Sequence, residues 1–251
     1  MQATELPFPP ALDLCFLRKE SSLDIYPEIT ETAWLCSYED GMFTEEEPEK
    51  DSFLALLTEQ KAVAIHEAGH AALDYVTGRG CKSVSITQTI FANGTTAFSG
   101  IAKSKHFGTD TIRKKILKHG YCKHALAHGV TCCAGPAAER KFRRLNGCPI
   151  RNGSEDDHKN IDGVGKTIES EHQRCRFAYR RLTWRVAQRA IDLEPIWDAI
   201  EHIADVLLSE LEDIYPQDDA PGEYTATIAG SDVKAIMRRH KAKIGMLGFA
   251  L

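Results

Sequence analysis

The clearest pattern along the chain is a helical repeat of apolar residues between positions 52 and 76. Apolar side chains recur there every three or four residues, with small residues between them, as in "AVAIHEAGHAALDY". This spacing predicts an α-helix, or two helices joined by a bend. Asp51 or Ser52 is suited to cap its start, and Gly78 and Gly80 are suited to end it. The apolar flanks predict that the middle of this helix is buried.

A pattern typical of strands follows the first helix. The segment 81–102 is rich in β-branched residues and carries Asn93 and Gly94 near its centre. Asn-Gly between two such runs is a strong signal for a β-hairpin. We therefore expect a small antiparallel β-hairpin or sheet here and little strand elsewhere.

Helical spacing returns in the rest of the chain. A helix is predicted over residues 110–145, with Pro136 kinking it or starting a new segment, and with small residues nearby that permit close helix packing. Residues 146–157 are predicted to form a loop. Further helices are expected through "RCRFAYRRLTWRVAQRAI", after Pro195, and beyond Ser231, which is suited to cap the last one. The predicted fold class is mainly α with a small antiparallel sheet.

Composition and charge indicate where the domain begins and which partners are not favoured. The 251 residues are 43% hydrophobic, as in ordinary globular proteins. Residues 1–51 are proline-containing and acidic and are predicted to be an N-terminal extension, whereas residues 52–251 are predicted to form one domain. The net charge of −5 favours neither nucleic acid nor an anionic membrane as a partner. No apolar run is long enough to span a membrane and no signal peptide is evident, so a cytoplasmic protein is expected.

The pattern H-E-x-x-H in the first helix points to metal chemistry. His66 and His70 are four residues apart, so both imidazoles project from one helix face and can bind one zinc ion at roughly 2.0–2.1 Å. Glu67 lies about 100° around the helix axis and can reach a zinc-bound water without binding the metal. It is predicted to be the catalytic general base and acid of a hydrolase.

A catalytic zinc site usually has three protein ligands, so one more donor is expected downstream. The candidates are Glu139, the run from Glu155 through Asp156 to Asp157, and His158. A carboxylate can also serve behind a histidine ligand, because the second ring nitrogen usually donates to a carboxylate or a carbonyl. That is the expected place of Glu139.

Several motifs together resemble a known family. "HEAGHA" is followed by a strand containing "VSI", then by "AGPAAE", and then by "NGSEDDHKNI". This series is similar to the M41 zinc peptidases, the proteolytic domain of FtsH-type AAA proteases, over about residues 52–240. The resemblance implies a zincin-like active-site helix in an M41-like helical domain. It also implies that His66, His70 and Asp157 bind zinc, with Asp156 on the neighbouring position of the motif. The ATPase module and membrane helices of that family have no counterpart in this chain.

The function expected from this resemblance is that of a zinc-dependent metalloendopeptidase without its own ATPase. Its substrates would be flexible or unfolded polypeptides, bound along the edge of the hairpin by strand addition. A separate AAA unfoldase is an expected partner, and a homo-oligomer is a further option. The alternative is a non-catalytic M41-like adaptor or regulator of a larger assembly, favoured by the missing ATPase module and disfavoured by the intact Glu67.

Two other patterns suggest chemistry but have simpler explanations. "NIDGVGKT" resembles a phosphate-binding loop, but Asn160 stands where that motif requires glycine, and no apolar strand precedes it. A helix or loop is expected there instead. His124, His128 and Cys132 share the spacing of one helix face, for which a helix surface with a buried thiol is favoured over a second metal site.

Overall fold

The computed structural model of the chain describes residues 52–105, 108–119, 123–150, 155–172, 176–214 and 220–249. The extension predicted for residues 1–51 lies outside these ranges. The described residues are mainly helical, with one small three-stranded antiparallel sheet. The predicted fold class is therefore confirmed at this level.

Seven helices and three strands occur in the described part of the chain. In chain order they are α1 (Ser52–Val76), β1 (Cys81–Ile90), β2 (Thr96–Ser104), α2 (Thr109–His119), α3 (Lys123–Leu145), α4 (Glu155–His172), α5 (Arg176–Ile191), α6 (Glu194–Ile214), β3 (Gly222–Ala229) and α7 (Gly230–Arg239).

The long helix α1 forms the centre of the fold. It runs as a single helix, and nearly every residue from Ala62 to Thr77 is buried, as the apolar flanks predict. Gly78 and Gly80 follow it with positive φ angles of 78° and 72°, which end the helix as predicted. At Gly69 an added Cβ would lie only 2.8 Å from the carbonyl oxygen of Ala134, so the missing side chain lets α1 and α3 pack closely.

The predicted hairpin is present, and one further strand, β3, lies outside the segment in which strands were predicted. β1 and β2 are joined through a turn in which Gly94 has a φ of 80°. β3 pairs with the other edge of β1, so the strand order is β2-β1-β3 and β2 is an edge strand. In β3, Ala226 and Ile228 face the core and alternate with exposed residues. This period of two is a weak but readable strand signal that the adjoining loop residues obscure.

α3 continues through Pro136, so of the two effects predicted for this proline, a kink or a new segment, the new segment is excluded. Two local predictions are wrong. The loop predicted for 146–157 is shorter, because α4 already begins at Glu155; acidic residues in a first helical turn are stabilised by the helix dipole. Ser231 does not cap the last helix, since β3 leads directly into α7 and Ala229 occupies the cap position.

None of the helices in the described part of the chain combines the length and the apolar character that a membrane span requires.

Candidate metal centre

Two imidazoles meet on the inner face of α1. His66 and His70 are one turn apart, and their rings lie edge to face with centroids 4.9 Å apart. Their Nε2 atoms are separated by 3.1 Å. The helical repeat therefore brings two nitrogens that could bind a metal to one point, as their spacing predicts.

The third donor comes from another helix. Asp157, in the first turn of α4, places Oδ2 at 3.2 Å from Nε2 of His66 and at 3.2 Å from Nε2 of His70. Among the described residues these three form the one group of histidine, cysteine or carboxylate side chains with the geometry to hold a metal ion. The structure thus brings together two residues of α1 and one that lies 87 positions beyond His70.

The size of this triangle fits a small tetrahedral ion. Ligand atoms bound to zinc at 2.0–2.1 Å in tetrahedral geometry lie about 3.3 Å from one another. The three separations in the cluster are 3.1, 3.2 and 3.2 Å. The donors need little movement to form three corners of a zinc site, which leaves a fourth corner for water or substrate.

The hydrogen bonds behind the rings leave both Nε2 atoms free to bind a cation. Nδ1 of His70 donates to the carbonyl oxygen of Thr131 at 2.7 Å, and Nδ1 of His66 lies 2.9 Å from Oε2 of Glu139. When the Nδ1 protons are used in these hydrogen bonds, the Nε2 atoms of the two neutral imidazoles are acceptors. Together with Oδ2 of Asp157, three acceptor atoms then face one another. Such an arrangement is unfavourable without a proton or a metal ion between them.

Glu139 is itself held in place by charge. Nε of Arg143 donates to Oε1 of Glu139 at 2.7 Å, and the two terminal nitrogens of Arg143 donate to the carboxylate of Glu59 at 2.9 and 2.8 Å. The pKa of Glu139 lies below its ordinary value because hydrogen bonds from His66 and Arg143 outweigh burial, which acts to raise it. Glu139 therefore accepts as a carboxylate and orients the ring of His66.

A glycine makes room for the two rings. A Cβ added at Gly135 of α3 would lie 2.3 Å from Nε2 of His70 and 2.5 Å from Nε2 of His66. Any larger residue at this position would displace the Nε2 atoms of both histidines. The small residues of "AGPAAE" thus serve the site as well as the packing of α3.

Glu67 lies beside the cluster and against the sheet. It is only 7% exposed, and a Cβ added at Gly100 of β2 would lie 2.3 Å from its Cγ. Burial raises the pKa of Glu67; the charges of His70 and His66 and a backbone hydrogen bond from Ala102 act to lower it. A carboxyl group with a raised pKa is suited to accept and return a proton near neutral pH.

The electrostatics of the cluster favour positive charge. Burial acts to lower the pKa of His66, but hydrogen bonds to Asp157 and Glu139 outweigh it and raise that pKa to about 10. The pKa of Asp157 lies below its ordinary value because the charge of His70 and the hydrogen bonds from both histidines outweigh burial. A site whose surroundings favour a proton on its histidines also attracts a divalent cation, for which protons compete.

The other candidates for the third donor lie elsewhere. Asp156 is exposed and pairs with Lys159 at 3.5 Å, and Glu139 lies on the Nδ1 side of His66. His158 is not part of the cluster. Sequence reasoning missed Arg143 and Gly100. The spacing of Glu139 and Arg143 four apart on a helix was a readable sign of an ion pair, whereas the contact of Gly100 with Glu67 requires the fold.

Comparison with known proteins adds no relative: no protein-family model matches this chain, and no curated protein matches it significantly.

Proposed function

We propose that this chain is a zinc-dependent metalloendopeptidase of the M41 type. The observation that carries the proposal is the convergence of His66, His70 and Asp157 at 3.1–3.2 Å, with the buried carboxyl group of Glu67 next to them. Histidine and carboxylate donors in a set of three are typical of catalytic zinc. A purely structural zinc site would use a fourth protein ligand and would have no need of a neighbouring base.

The residues around the cluster have separable roles in this proposal. A bound zinc ion would polarise the scissile carbonyl and lower the pKa of water from 15.7 toward about 7. Glu67 takes the proton of the attacking water on its carboxylate and returns it to the leaving amine. Glu139 and the Thr131 carbonyl keep the Nδ1 protons of the two histidines in place, so that Nε2 of each ring is available to the metal.

The edge strand β2 supports a polypeptide as substrate. Gly100 lies against Glu67, so the edge of the sheet runs past the proposed base. An extended peptide that pairs with this edge would carry its backbone along the cluster. The donors are largely buried, with the side chains of His66 and Asp157 11% and 19% exposed. An extended or unfolded chain can reach such donors more readily than a folded surface can, and a separate AAA unfoldase would supply it.

The test combines metal analysis with cleavage of a flexible protein such as casein. Glu67→Gln should retain stoichiometric zinc and cleave 10²–10⁴-fold more slowly, about the contribution of a general base. Asp157→Ala should lose zinc, because one of its three donors is gone. Asp156→Ala, the neighbouring control, should retain both zinc and activity, because the Asp156 side chain is exposed and its ion pair with Lys159 lies outside the cluster.

Each outcome has a separate meaning. A wild-type protein that binds no zinc would overturn the metal site. A protein that binds zinc but cleaves no peptide or protein substrate would favour the alternative of a non-catalytic adaptor. Full activity in Glu67→Gln would contradict the role of Glu67 as general base but not the proposed metal site.

A further inference from the structure

A chain of hydrogen bonds, buried at its first end and half-buried at its second, runs behind the metal donors and reaches the helix that carries Asp157. It contains His128 and Asn160, which belong to the two sequence patterns without a role in the proposed chemistry. We call this chain the relay and define it as Asp74, Arg79, His128, Thr109 and Asn160.

The relay starts on α1, one turn beyond His70. Nε of Arg79 donates to Oδ1 of Asp74 at 2.9 Å, and Nη1 of Arg79 donates to Nδ1 of His128 at 2.8 Å. Arg79 and His128 are 3% and 5% exposed. A guanidinium group has only donors, so Nδ1 of His128 must accept and its proton must lie on Nε2.

The second half of the relay has a fixed direction for the same reason. Nε2 of His128 lies 3.3 Å from Oγ1 of Thr109, and Oγ1 of Thr109 donates to Oδ1 of Asn160 at 2.9 Å. The Thr109 hydroxyl has one proton, which it gives to Asn160, and it therefore accepts the proton of His128. The donors and acceptors along the relay therefore match one another.

Asn160 is three residues after Asp157 on α4, so the two lie on the same face, about 4.5 Å apart along the axis. Burial and the charge of Arg79 lower the pKa of His128 to about 3, and the charge of Asp157 opposes them. The carboxylate of Asp157 is therefore within electrostatic range of the relay.

α2 also holds α4 at a second point, which does not involve the relay. Nε of Arg113 donates to Oγ1 of Thr167 at 3.1 Å. Thr167 lies ten residues after Asp157, or about 15 Å along α4. In the described part of the chain, side-chain hydrogen bonds thus join these two helices both close to Asp157 and far from it.

We propose that Thr109 and His128 are positioning residues for the metal site: through Asn160 they hold the first turns of α4 so that Oδ2 of Asp157 meets the two histidines. The inference rests on the proposed metal site. His66 and His70 are placed by one buried helix, whereas Asp157 must be brought to them from another. Residues that orient metal ligands typically contribute 10–100-fold to metal affinity.

The experiment compares Thr109→Val, which keeps the shape but removes the hydroxyl, with Thr109→Ser, which keeps the hydroxyl. Zinc affinity is measured by competition with a chelator, and the visible absorption of the Co²⁺-loaded protein reports the ligand set. Thr109→Val should weaken zinc binding about 10–100-fold and change the Co²⁺ spectrum. Thr109→Ser should restore both nearly to the wild-type values.

Thr167→Val is the matched control, because it removes the other hydrogen bond between α2 and α4. It should leave zinc affinity and the Co²⁺ spectrum unchanged. Asn160→Ala is a second way to break the relay and should not weaken binding further when combined with Thr109→Val. Thermal unfolding of the metal-free proteins shows whether each variant is folded.

Two results would overturn the proposal. One is wild-type zinc affinity in folded Thr109→Val or Asn160→Ala, and the other is an equal loss in Thr167→Val, which would indicate general support of α4. A wild-type protein that binds neither zinc nor Co²⁺ would instead remove the metal site itself, and the relay with it.

Discussion

The candidate metal centre depends both on side chains that supply donor atoms and on a glycine whose missing side chain leaves space for them. His66, His70 and Asp157 supply the donor atoms, but Gly135 supplies the space in which two Nε2 atoms meet at 3.1 Å. The donors and this glycine come from three different helices. The site therefore depends on helix packing so close that one added methyl group would disturb it.

The first prediction concerns this space. Gly135→Ala should reduce zinc affinity by at least about tenfold, because its Cβ would overlap with the rings of both histidines. Gly163→Ala is the control on a neighbouring helix, where the nearest atom to an added Cβ is 3.7 Å away. It should keep zinc affinity and raise the free energy of unfolding by about 0.5–1 kcal/mol through its better helix propensity. Equal zinc affinity in both variants would contradict the role of Gly135.

At the scale of elements, the site depends on a helix pressed against the edge of a sheet. α1 is buried over most of its length, and its centre carries three polar side chains, those of His66, Glu67 and His70. Buried polar groups are costly unless each has a partner. The two histidines find their partners on α3 and α4. The third polar residue, Glu67, lies against β2, which places the proposed base beside the edge where a peptide would pair.

The contact between α1 and β2 can be tested at Gly100. In Gly100→Ala, the added Cβ would overlap with the side chain of Glu67, whose Cγ is 2.3 Å from that position. We expect cleavage to slow by at least about tenfold while zinc remains bound, because displacing a general base costs part of its 10²–10⁴-fold contribution.

Ser99→Ala on the same strand is the control for this change. Adjacent residues of a strand point to opposite faces, so Ser99 is directed away from Glu67 and is exposed. It should cleave at the wild-type rate. If Gly100→Ala also cleaves at that rate with zinc bound, the position of Glu67 against β2 is not important for activity.

At the scale of the whole molecule, the relay makes stability depend on pH. His128 remains neutral in the folded protein, because burial and Arg79 lower its pKa to about 3 from an ordinary value of 6.5. Below about pH 6.5 the unfolded chain binds a proton that the folded protein does not. Stability therefore falls with decreasing pH, by up to about 1.4 kcal/mol per pH unit for this one group.

The pH prediction is tested by urea unfolding of wild type and His128→Gln between about pH 6.5 and 5, with a chelator present. The wild-type free energy of unfolding should decrease by about 1.6 kcal/mol more than that of the variant over this interval. Other titrating groups are common to both proteins and cancel in the comparison. Parallel pH profiles would show that His128 titrates normally in the folded state.

The sequence by itself determined the elements whose signals are local. The apolar repeat of α1 and the Asn-Gly turn of the hairpin each lie within one short segment, and both appear as predicted. The pairing of His66 with His70 follows from the helical period alone. Elements that depend on a distant partner were predicted less well. β3 was missed because its partner strand β1 lies far away in sequence. The start of α4 was also predicted wrongly, as part of a loop.

Only the tertiary structure decided which residue completes the cluster. Asp156 and Asp157 are chemically identical neighbours, and the family resemblance alone favoured one of them. The packing of α4 turns Asp157 toward the two histidines and leaves Asp156 in solvent. The same holds for Gly100, Gly135 and the relay, because the role of each depends on contacts between separate helices and strands. A sequence specifies the direction of a side chain within its own helix or strand, whereas the atoms that it meets depend on how those elements pack.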